Sequence, residues 1–234
     1  MLTRRVANFL RIAGGAAVET LYPRCCAGCG RRGNWVCHDC DAALRRFARP
    51  WCERCGAPPL QLSCRCADLV PALAVVRSAA PDDGWLRAAV RSFKYSGETA
   101  RAEHLGALLL PLLADLPPFD ALVPVPLHAR RERRRGYNQA RLLAHAAGKG
   151  SSIPIEEVLV RTRPTDQQVG LDADARRKNV RGAFAVNDGA DISGRRFVLV
   201  DDVLTTGSTL GNCAETLVGG GAAWVGAVTL AREL

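Results

Sequence analysis

The crowding of cysteine near one end of the chain limits the fold more than any other feature. Nine of the ten cysteines lie between Cys25 and Cys66. The surrounding segment, residues 21–67, is broken by glycine and proline and has no long periodic apolar run. It therefore cannot bury a core large enough to hold itself together. Either disulfides or bound metal must stabilise it.

The spacing of these cysteines favours metal. A long aliphatic-rich segment follows, and a gap of two residues lets one turn present two sulfur atoms to the same ion. Four thiolates complete a tetrahedral zinc site and leave no open position, so we predict two structural Zn²⁺ in a double zinc ribbon of a cytoplasmic protein. The simplest grouping is Cys26, Cys29, Cys37 and Cys40 for one ion and Cys52, Cys55, Cys64 and Cys66 for the other.

Three alternatives stay open at this point. An interleaved grouping satisfies the same spacing, and Cys25 could replace its neighbour Cys26. The last pair, Cys64 and Cys66, has only one intervening residue, which strains the usual turn and leaves His38 as a substitute ligand. The remaining cysteine, Cys213, lies in an Ala/Leu-rich helical stretch and is interpreted as a small buried apolar residue.

Beyond residues 68–72 the pattern changes to short apolar runs that alternate with helical stretches. This alternation predicts an α/β fold with a mostly parallel sheet flanked by helices. The chain then divides into residues 1–67, an N-terminal helix with the zinc ribbon, and residues 68–234. Strands are predicted at 73–76, 121–125, 158–161, 184–186, 197–201 and 224–230, and helices at 82–95, 102–116 (interrupted at Pro111), 138–147 and 209–218.

Composition and charge narrow the class of protein. An apolar share of 48% excludes a disordered chain. No run of eighteen apolar residues exists, so we expect no membrane insertion. Residues 2–20 are predicted to form an amphipathic surface helix; a signal peptide is the less favoured alternative, because Asn8 and Arg11 interrupt its apolar run. A net charge of +9 favours anionic partners such as nucleotides or nucleic acid, without choosing among them.

The segment 198–209 carries the clearest functional pattern. An apolar strand ends in Asp201 and Asp202, and a hydroxyl-rich loop around Gly207 then opens a helix. Ligands of parallel sheets bind beyond the carboxyl ends of strands. A loop of small residues before a helix offers backbone N–H groups to a phosphate, and the carboxylates can accept hydrogen bonds from ribose hydroxyls. The alternative is a capped helix with solvated acids. No lysine follows the glycine, so the loop is not a Walker motif.

This segment resembles the phosphoribosyl-pyrophosphate signature of type I phosphoribosyltransferases. The wider chain, about residues 20–231, resembles the ComF family, ComFC- and GntX-like proteins in which a double zinc ribbon precedes such a domain. Further matching segments are Phe93–Lys94–Tyr95, the loop 123–128, the block Arg131, Arg134, Gly136, Tyr137, Asn138 and Gln139, and a late block with Arg163, Thr165, Gln167 or Gln168, Leu171, Arg176, Asn179 and Phe184.

The resemblance implies a type I phosphoribosyltransferase-like fold that binds phosphoribosyl pyrophosphate with Mg²⁺, and transfer to an unknown base or amine. Asp201 and Asp202 would bind the ribose hydroxyls and are the candidate catalytic residues. The loop at 125–127 would lie near the pyrophosphate, with cations from Lys94, Arg130, Arg131 and Arg134. The complete set of candidate ligand contacts is Val200, Asp201, Asp202, Val203, Leu204, Thr205, Thr206, Gly207, Ser208, Thr209, Val125, Pro126, Leu127, Lys94, Arg131 and Arg134.

A different class of function is compatible with the same residues. The stretch 130–139 concentrates arginine beside Tyr137, a composition that suits single-stranded DNA through phosphate contacts and base stacking. The resemblance to competence proteins implies DNA uptake, with a helicase as a possible partner, and binding of DNA or nucleotide without turnover. The plain alternative is a solvated basic loop.

Overall fold

Four parallel strands form the central sheet, in the order β1-β6-β5-β2. The computed structural model describes residues 23–59, 64, 66, 69–163 and 182–234, so the helix predicted at 2–20 lies outside the described residues. A separate antiparallel pair joins β3 to β4. The four parallel strands of the central sheet confirm the predicted α/β fold with a mostly parallel sheet. The strands are β1 (Val75–Pro81), β2 (Ala121–Pro124), β3 (Leu159–Arg161), β4 (Phe184–Val186), β5 (Arg196–Leu204) and β6 (Trp224–Arg232).

Aliphatic side chains cover both faces of this sheet. Along β5, Val198 and Val200 belong to one buried cluster while Phe197 and Leu199 belong to the other, because successive side chains of a strand point to opposite faces. Strand β5 is also longer than predicted and contains both aspartates, instead of ending at the first of them. Strand β1 begins two residues later than predicted and continues to Pro81.

Seven α-helices complete the described part of the chain. One predicted helix is divided into two where Pro111 enters the first turn of the second piece. The helix predicted to end at Gly148 continues to Ser151, and Ser152 takes the left-handed conformation with φ of 57°. The helices are α1 (His38–Ala42), α2 (Gly84–Tyr95), α3 (Ala102–Ala107), α4 (Leu110–Ala114), α5 (Ala129–Arg135), α6 (Gln139–Ser151) and α7 (Ser208–Gly219).

The described part of the cysteine segment wraps around the edge strand β1. Cys26 joins the buried cluster on the α2 face, whereas Cys55 joins the cluster on the opposite face. Between them the chain follows the outer edge of β1, where Phe47 N donates to Ala79 O at 2.9 Å and Val76 N donates to Arg54 O at 2.8 Å. These bonds satisfy part of an otherwise open sheet edge.

Helix lengths in the described residues bear on membrane insertion. No helix there combines the length and the apolar character needed to cross a bilayer.

Candidate functional site

A cavity of about 580 Å³ opens at the carboxyl end of β5. Its walls come from α2, from the loop after β2, from α5, and from the loop that connects β5 to α7. This is the edge of a parallel sheet at which ligands bind, because strand ends and helix N-termini converge there. The cavity therefore lies where the acidic pair predicted it.

The two aspartates face different surroundings. Asp202 is buried, and its Oδ1 lies 2.8 Å from Nζ of Lys94 on α2. Oδ2 of Asp202 has no hydrogen-bond partner among the described atoms. Asp201 belongs to the opposite side of the strand, where its charge interacts with Arg161. One buried oxygen of the acidic pair is thus without a hydrogen-bond partner in the described structure.

Burial and mutual repulsion shift the ionisation of this pair. Burial, and then the neighbouring Asp202 carboxylate, raise the pKa of Asp201 to about 7. For Lys94, burial alone would lower the pKa, but the Asp202 carboxylate outweighs it and the net pKa is raised. The Lys94 ammonium therefore stays charged at neutral pH, while Asp201 takes up a proton readily.

The loop after β5 leads directly into the N-terminus of α7. Gly207 has φ of 76° and directly precedes α7, where it provides no side chain to cap the first amides. Thr206 Oγ1 and Ser208 Oγ share a hydrogen bond of 2.7 Å. Thr206 Oγ1 also accepts from Ser208 N at 3.4 Å. The backbone N–H groups and the partial positive charge of a helix N-terminus favour an anion such as phosphate at this position.

Two consecutive residues just before α6, Tyr137 and Asn138, fix the cavity wall opposite this loop. The Tyr137 hydroxyl donates to Phe93 O at the end of α2. Asn138 Nδ2 donates to Val125 O at 3.0 Å, and Asn138 Oδ1 accepts from Ala140 N at the start of α6. Two successive side chains thus connect α2, the loop after β2 and α6.

Cationic side chains line the cavity in larger number than the sequence predicted. Arg87, Arg91 and Lys94 lie on one face of α2, a spacing that the sequence alone could have revealed. Arg161 at the end of β3 is buried, and burial followed by the nearby Arg131 lowers its pKa. No local pattern marks Arg161, because only the tertiary fold brings β3 to the cavity.

A smaller hollow of about 230 Å³ adjoins the main cavity. Arg135 covers the Tyr95 ring at 5.5 Å, and 69% of Tyr95 is exposed to solvent. The residues around this hollow include no carboxylate: Lys94, Tyr95, Gly97, Arg131, Arg134, Arg135 and Tyr137.

The predicted ligand contacts converge on the main cavity with two exceptions. Val200 is fully buried in the sheet, and Thr206 is not among the residues that line the cavity. The predicted contacts that do line it are Lys94, Val125, Pro126, Leu127, Arg131, Arg134, Asp201, Asp202, Val203, Leu204, Thr205, Gly207, Ser208 and Thr209. The residues 164–181, which include much of the late block, lie outside the described residues.

The cysteines form two groups of four, in the sequential grouping and not the interleaved one. Within each group the sulfur atoms all lie within 4.8 Å of one another. Neither Cys25 nor His38 belongs to a group. The groups, here called the first and second cysteine clusters, are Cys26, Cys29, Cys37 and Cys40, and Cys52, Cys55, Cys64 and Cys66.

The chemistry of both clusters suits structural zinc. Burial would raise the pKa of Cys26, but backbone N–H donors, Cys37 first, outweigh it and lower the pKa to about 6. Burial would likewise raise the pKa of Cys52, but backbone N–H donors led by Cys55 outweigh it and lower the pKa to about 6. The Cys37 sulfur raises the pKa of Cys40, and burial followed by the Cys52 sulfur raises the pKa of Cys66, so each cluster has one thiol that ionises readily beside one that does not. Zinc binds thiolates in a tetrahedron, so each cluster fits one ion.

A model of the phosphoribosyl transferase domain matches residues 140–234. Together with the parallel sheet and the acid–loop–helix site, this match defines a protein with the phosphoribosyltransferase fold, preceded by cysteine clusters suited to zinc. The chain belongs to the ComF family of DNA utilization and competence proteins.

Three relatives illustrate this membership. DNA utilization protein YhgH of Escherichia coli O157:H7 is 35% identical over 218 residues, which is 86% of this chain and 92% of the relative. Competence protein F of Haemophilus influenzae is 31% identical, over 79% of this chain and 84% of its own. Competence protein ComFC of Bacillus subtilis is 26% identical, over 85% and 84%.

Proposed function

We propose that this protein binds phosphoribosyl pyrophosphate together with Mg²⁺ in the cavity at the end of β5. The observation that supports this most directly is the meeting of an acidic pair, a helix N-terminus and a wall of cations in one cavity. A ribose with a phosphate at one end and a pyrophosphate at the other needs these three surroundings.

Each part of the ligand has a suitable partner. The 5-phosphate fits the amides and hydroxyls of residues 205–209 at the start of α7. The ribose hydroxyls fit the carboxylates of Asp201 and Asp202, which both line the cavity at the end of β5. The pyrophosphate fits beside residues 125–127, with Arg131 and Arg134 as counter-charges.

The corresponding reaction is transfer of the phosphoribosyl group to an acceptor nitrogen of a base or amine. The nitrogen electron pair forms a bond to the anomeric carbon, the bond from that carbon to pyrophosphate oxygen breaks, and the acceptor proton passes to solvent. The arginines favour departure of the pyrophosphate by stabilising its charge. Bound Mg²⁺ would supply further charge neutralisation of the leaving group.

Thermal denaturation of the zinc-loaded protein tests ligand binding. At a phosphoribosyl pyrophosphate concentration one hundred times Kd, with Mg²⁺, the free energy of unfolding should rise by about 2.7 kcal/mol. The variant Asp201→Asn, Asp202→Asn should lose this rise. Asp188→Asn, which removes an exposed carboxylate outside the cavity, should keep it. Absence of any rise in the unaltered protein would rule the proposal out.

A specific observation favours a second function, the binding of single-stranded DNA. Tyr95 presents an exposed ring with Arg135 behind it, next to the arginines of α5, and aromatic–arginine platforms stack bases without sequence preference. The relatives named for DNA utilization and competence agree with this context.

Salt dependence separates the two functions. If the protein binds DNA through several phosphates, raising the salt concentration from about 50 to 200 mM should weaken the binding of a labelled oligonucleotide by orders of magnitude. Tyr95→Ala should weaken it further by removing a stacking surface, whereas Tyr95→Phe should not. Oligonucleotide binding that is unchanged by salt and by Tyr95→Ala would exclude this site as a DNA-binding surface.

A further inference from the structure

The second cysteine cluster is connected to the phosphate loop by two residues that follow it. A Cβ placed on Gly207 would stand 2.9 Å from Leu69 Cδ2, and one placed on Gly211 would stand 3.1 Å from Val70 Cγ2. Leu69 is buried in the same cluster as Leu204 and Leu210, the residues that bracket the loop. The side chains at 69 and 70 therefore pack directly under the loop and the first turn of α7.

Arg54, which lies between Cys52 and Cys55, holds this connection in place. Its guanidinium donates to the carbonyl oxygen of Cys66 at 3.1 Å and to those of Leu69 and Val70 at 3.0 Å each. Three hydrogen bonds from one cation thus tie the segment after the cluster to the turn that begins it.

A second attachment joins the cluster to the end of the sheet. Arg232 donates to Cys55 O, and Arg232 is the register partner of Leu204 in β6 and β5. The turn that begins the cluster is therefore fixed both to Cys66, Leu69 and Val70 and to the strand end from which the phosphate loop departs.

The first cysteine cluster contacts a different part of the fold. Trp85 Nε1 donates to Cys40 O at 2.8 Å, so this cluster packs against the start of α2 on the opposite face of the sheet. Among the described contacts, none joins it to residues 205–209. The two clusters thus offer an internal comparison between a cysteine group that packs against the loop and one that packs elsewhere.

We propose that the second cysteine cluster positions the phosphate loop, with Leu69 as the positioning residue that transmits its order to Gly207. The inference rests on the proposed function in one respect, that residues 205–209 hold a phosphate. Because Cys64 is exposed and Cys66 is only half-buried, their order depends on the zinc that the four thiolates suit. Zinc in this cluster then sets the affinity of the loop for phosphate.

The first test compares two truncations of equal size. Leu69→Ala removes the contact with Gly207, and Leu44→Ala removes a leucine of similar exposure, 9% against 7%, beside the first cluster. Both should lower the unfolding temperature. Only Leu69→Ala should weaken the binding of ribose 5-phosphate, by at least about tenfold, because small displacements of a binding loop are costly. Leu69→Met, which keeps a side chain of similar volume, should retain the affinity for ribose 5-phosphate.

The second test does not need a ligand. Hydrogen exchange of the Gly211 amide, which donates to Gly207 O at 2.8 Å, reports order in the loop and the first turn of α7. Exchange should accelerate roughly tenfold or more in Leu69→Ala and in the double variant Cys64→Ser, Cys66→Ser. It should not accelerate in Leu44→Ala or in the double variant Cys37→Ser, Cys40→Ser.

The outcomes separate this inference from the proposed function. Accelerated exchange limited to the Leu69 and second-cluster variants supports the inference even if no phosphate ligand binds, in which case only the proposed function fails. Equal exchange in the Leu69→Ala and Leu44→Ala variants overturns the inference. It is also overturned if the unaltered protein binds ribose 5-phosphate and both variants weaken that binding to the same extent.

Discussion

Nζ of Lys94 lies 2.8 Å from Oδ1 of Asp202, and this ion pair joins the last turn of α2 to the carboxyl end of β5. The carboxylate is buried, so the ammonium compensates a charge that would otherwise be costly at the floor of the cavity. Lys94 also lines the hollow beside the cavity, and it is therefore shared between the ribose and pyrophosphate regions of the proposed site.

Loss of this lysine should destabilise the fold. Lys94→Met leaves the buried Asp202 without its cation, and we expect the free energy of unfolding in urea to fall by roughly 3 kcal/mol at neutral pH. Lys149→Met, which removes an exposed lysine 3.9 Å from Glu103, should change it by less than about 0.5 kcal/mol. Equal losses in the two variants would contradict a stabilising role for the buried pair.

The raised pKa of Asp201 predicts that replacing this residue benefits the stability of the fold more at high pH than at low pH. Because the folded-state pKa is about 7, the native protein holds this proton more tightly than the unfolded chain does, and the associated stability is lost as pH rises through 7. Asp201→Asn stays neutral, so its stability relative to the unaltered protein should increase from pH 5 to pH 8. Asp188→Asn should show no such increase, and urea denaturation at both pH values measures it.

The protein should bind one zinc ion for each of the two cysteine clusters. Native mass spectrometry of the unaltered protein should show two zinc ions per chain, since each group of four sulfur atoms can complete one tetrahedral site. Cys37→Ser, Cys40→Ser and Cys64→Ser, Cys66→Ser should each retain one ion. Cys25→Ser should retain both, and loss of an ion there would contradict the assignment of Cys26 as the ligand.

A double-mutant cycle tests the packing of the loop against Leu69. Gly207→Ala should cost about 1–3 kcal/mol of stability, because alanine is strained at φ of 76° and its methyl group meets Leu69. Combined with Leu69→Ala, which removes the obstructing side chain, the loss should be smaller than the sum by at least about 0.5 kcal/mol. Chemical denaturation of the four proteins gives this coupling.

The control for that cycle is Gly194, which has φ of 69° and no atom within 4 Å of an added Cβ. Gly194→Ala should therefore lose only the energy of backbone strain, about 1 kcal/mol, and should be additive with Leu69→Ala. Additivity in both cycles would show that Leu69 and Gly207 do not constrain each other.

Local patterns in the sequence were sufficient for the cysteine pairs and for the strand–acid–loop–helix segment. Each is a continuous stretch whose chemistry depends on neighbours in the chain, so the spacing of Cys26 and Cys29, or of Asp202 and Gly207, already carries the information. The helix α5 was missed, because its arginines have no apolar periodicity and were interpreted as a basic loop.

Only the tertiary structure decided which distant residues meet. It chose the sequential cysteine grouping, which spacing had left open, because sulfur positions depend on how the two clusters fold around β1. It paired Lys94 with Asp202 and brought Arg161 to the cavity, since contacts between elements far apart in the chain follow from packing of the sheet and leave no periodic trace. The contact of Leu69 with Gly207 is of the same kind, because the sequence marks residues 68–72 only as a boundary between two segments, whereas the fold places Leu69 under the loop.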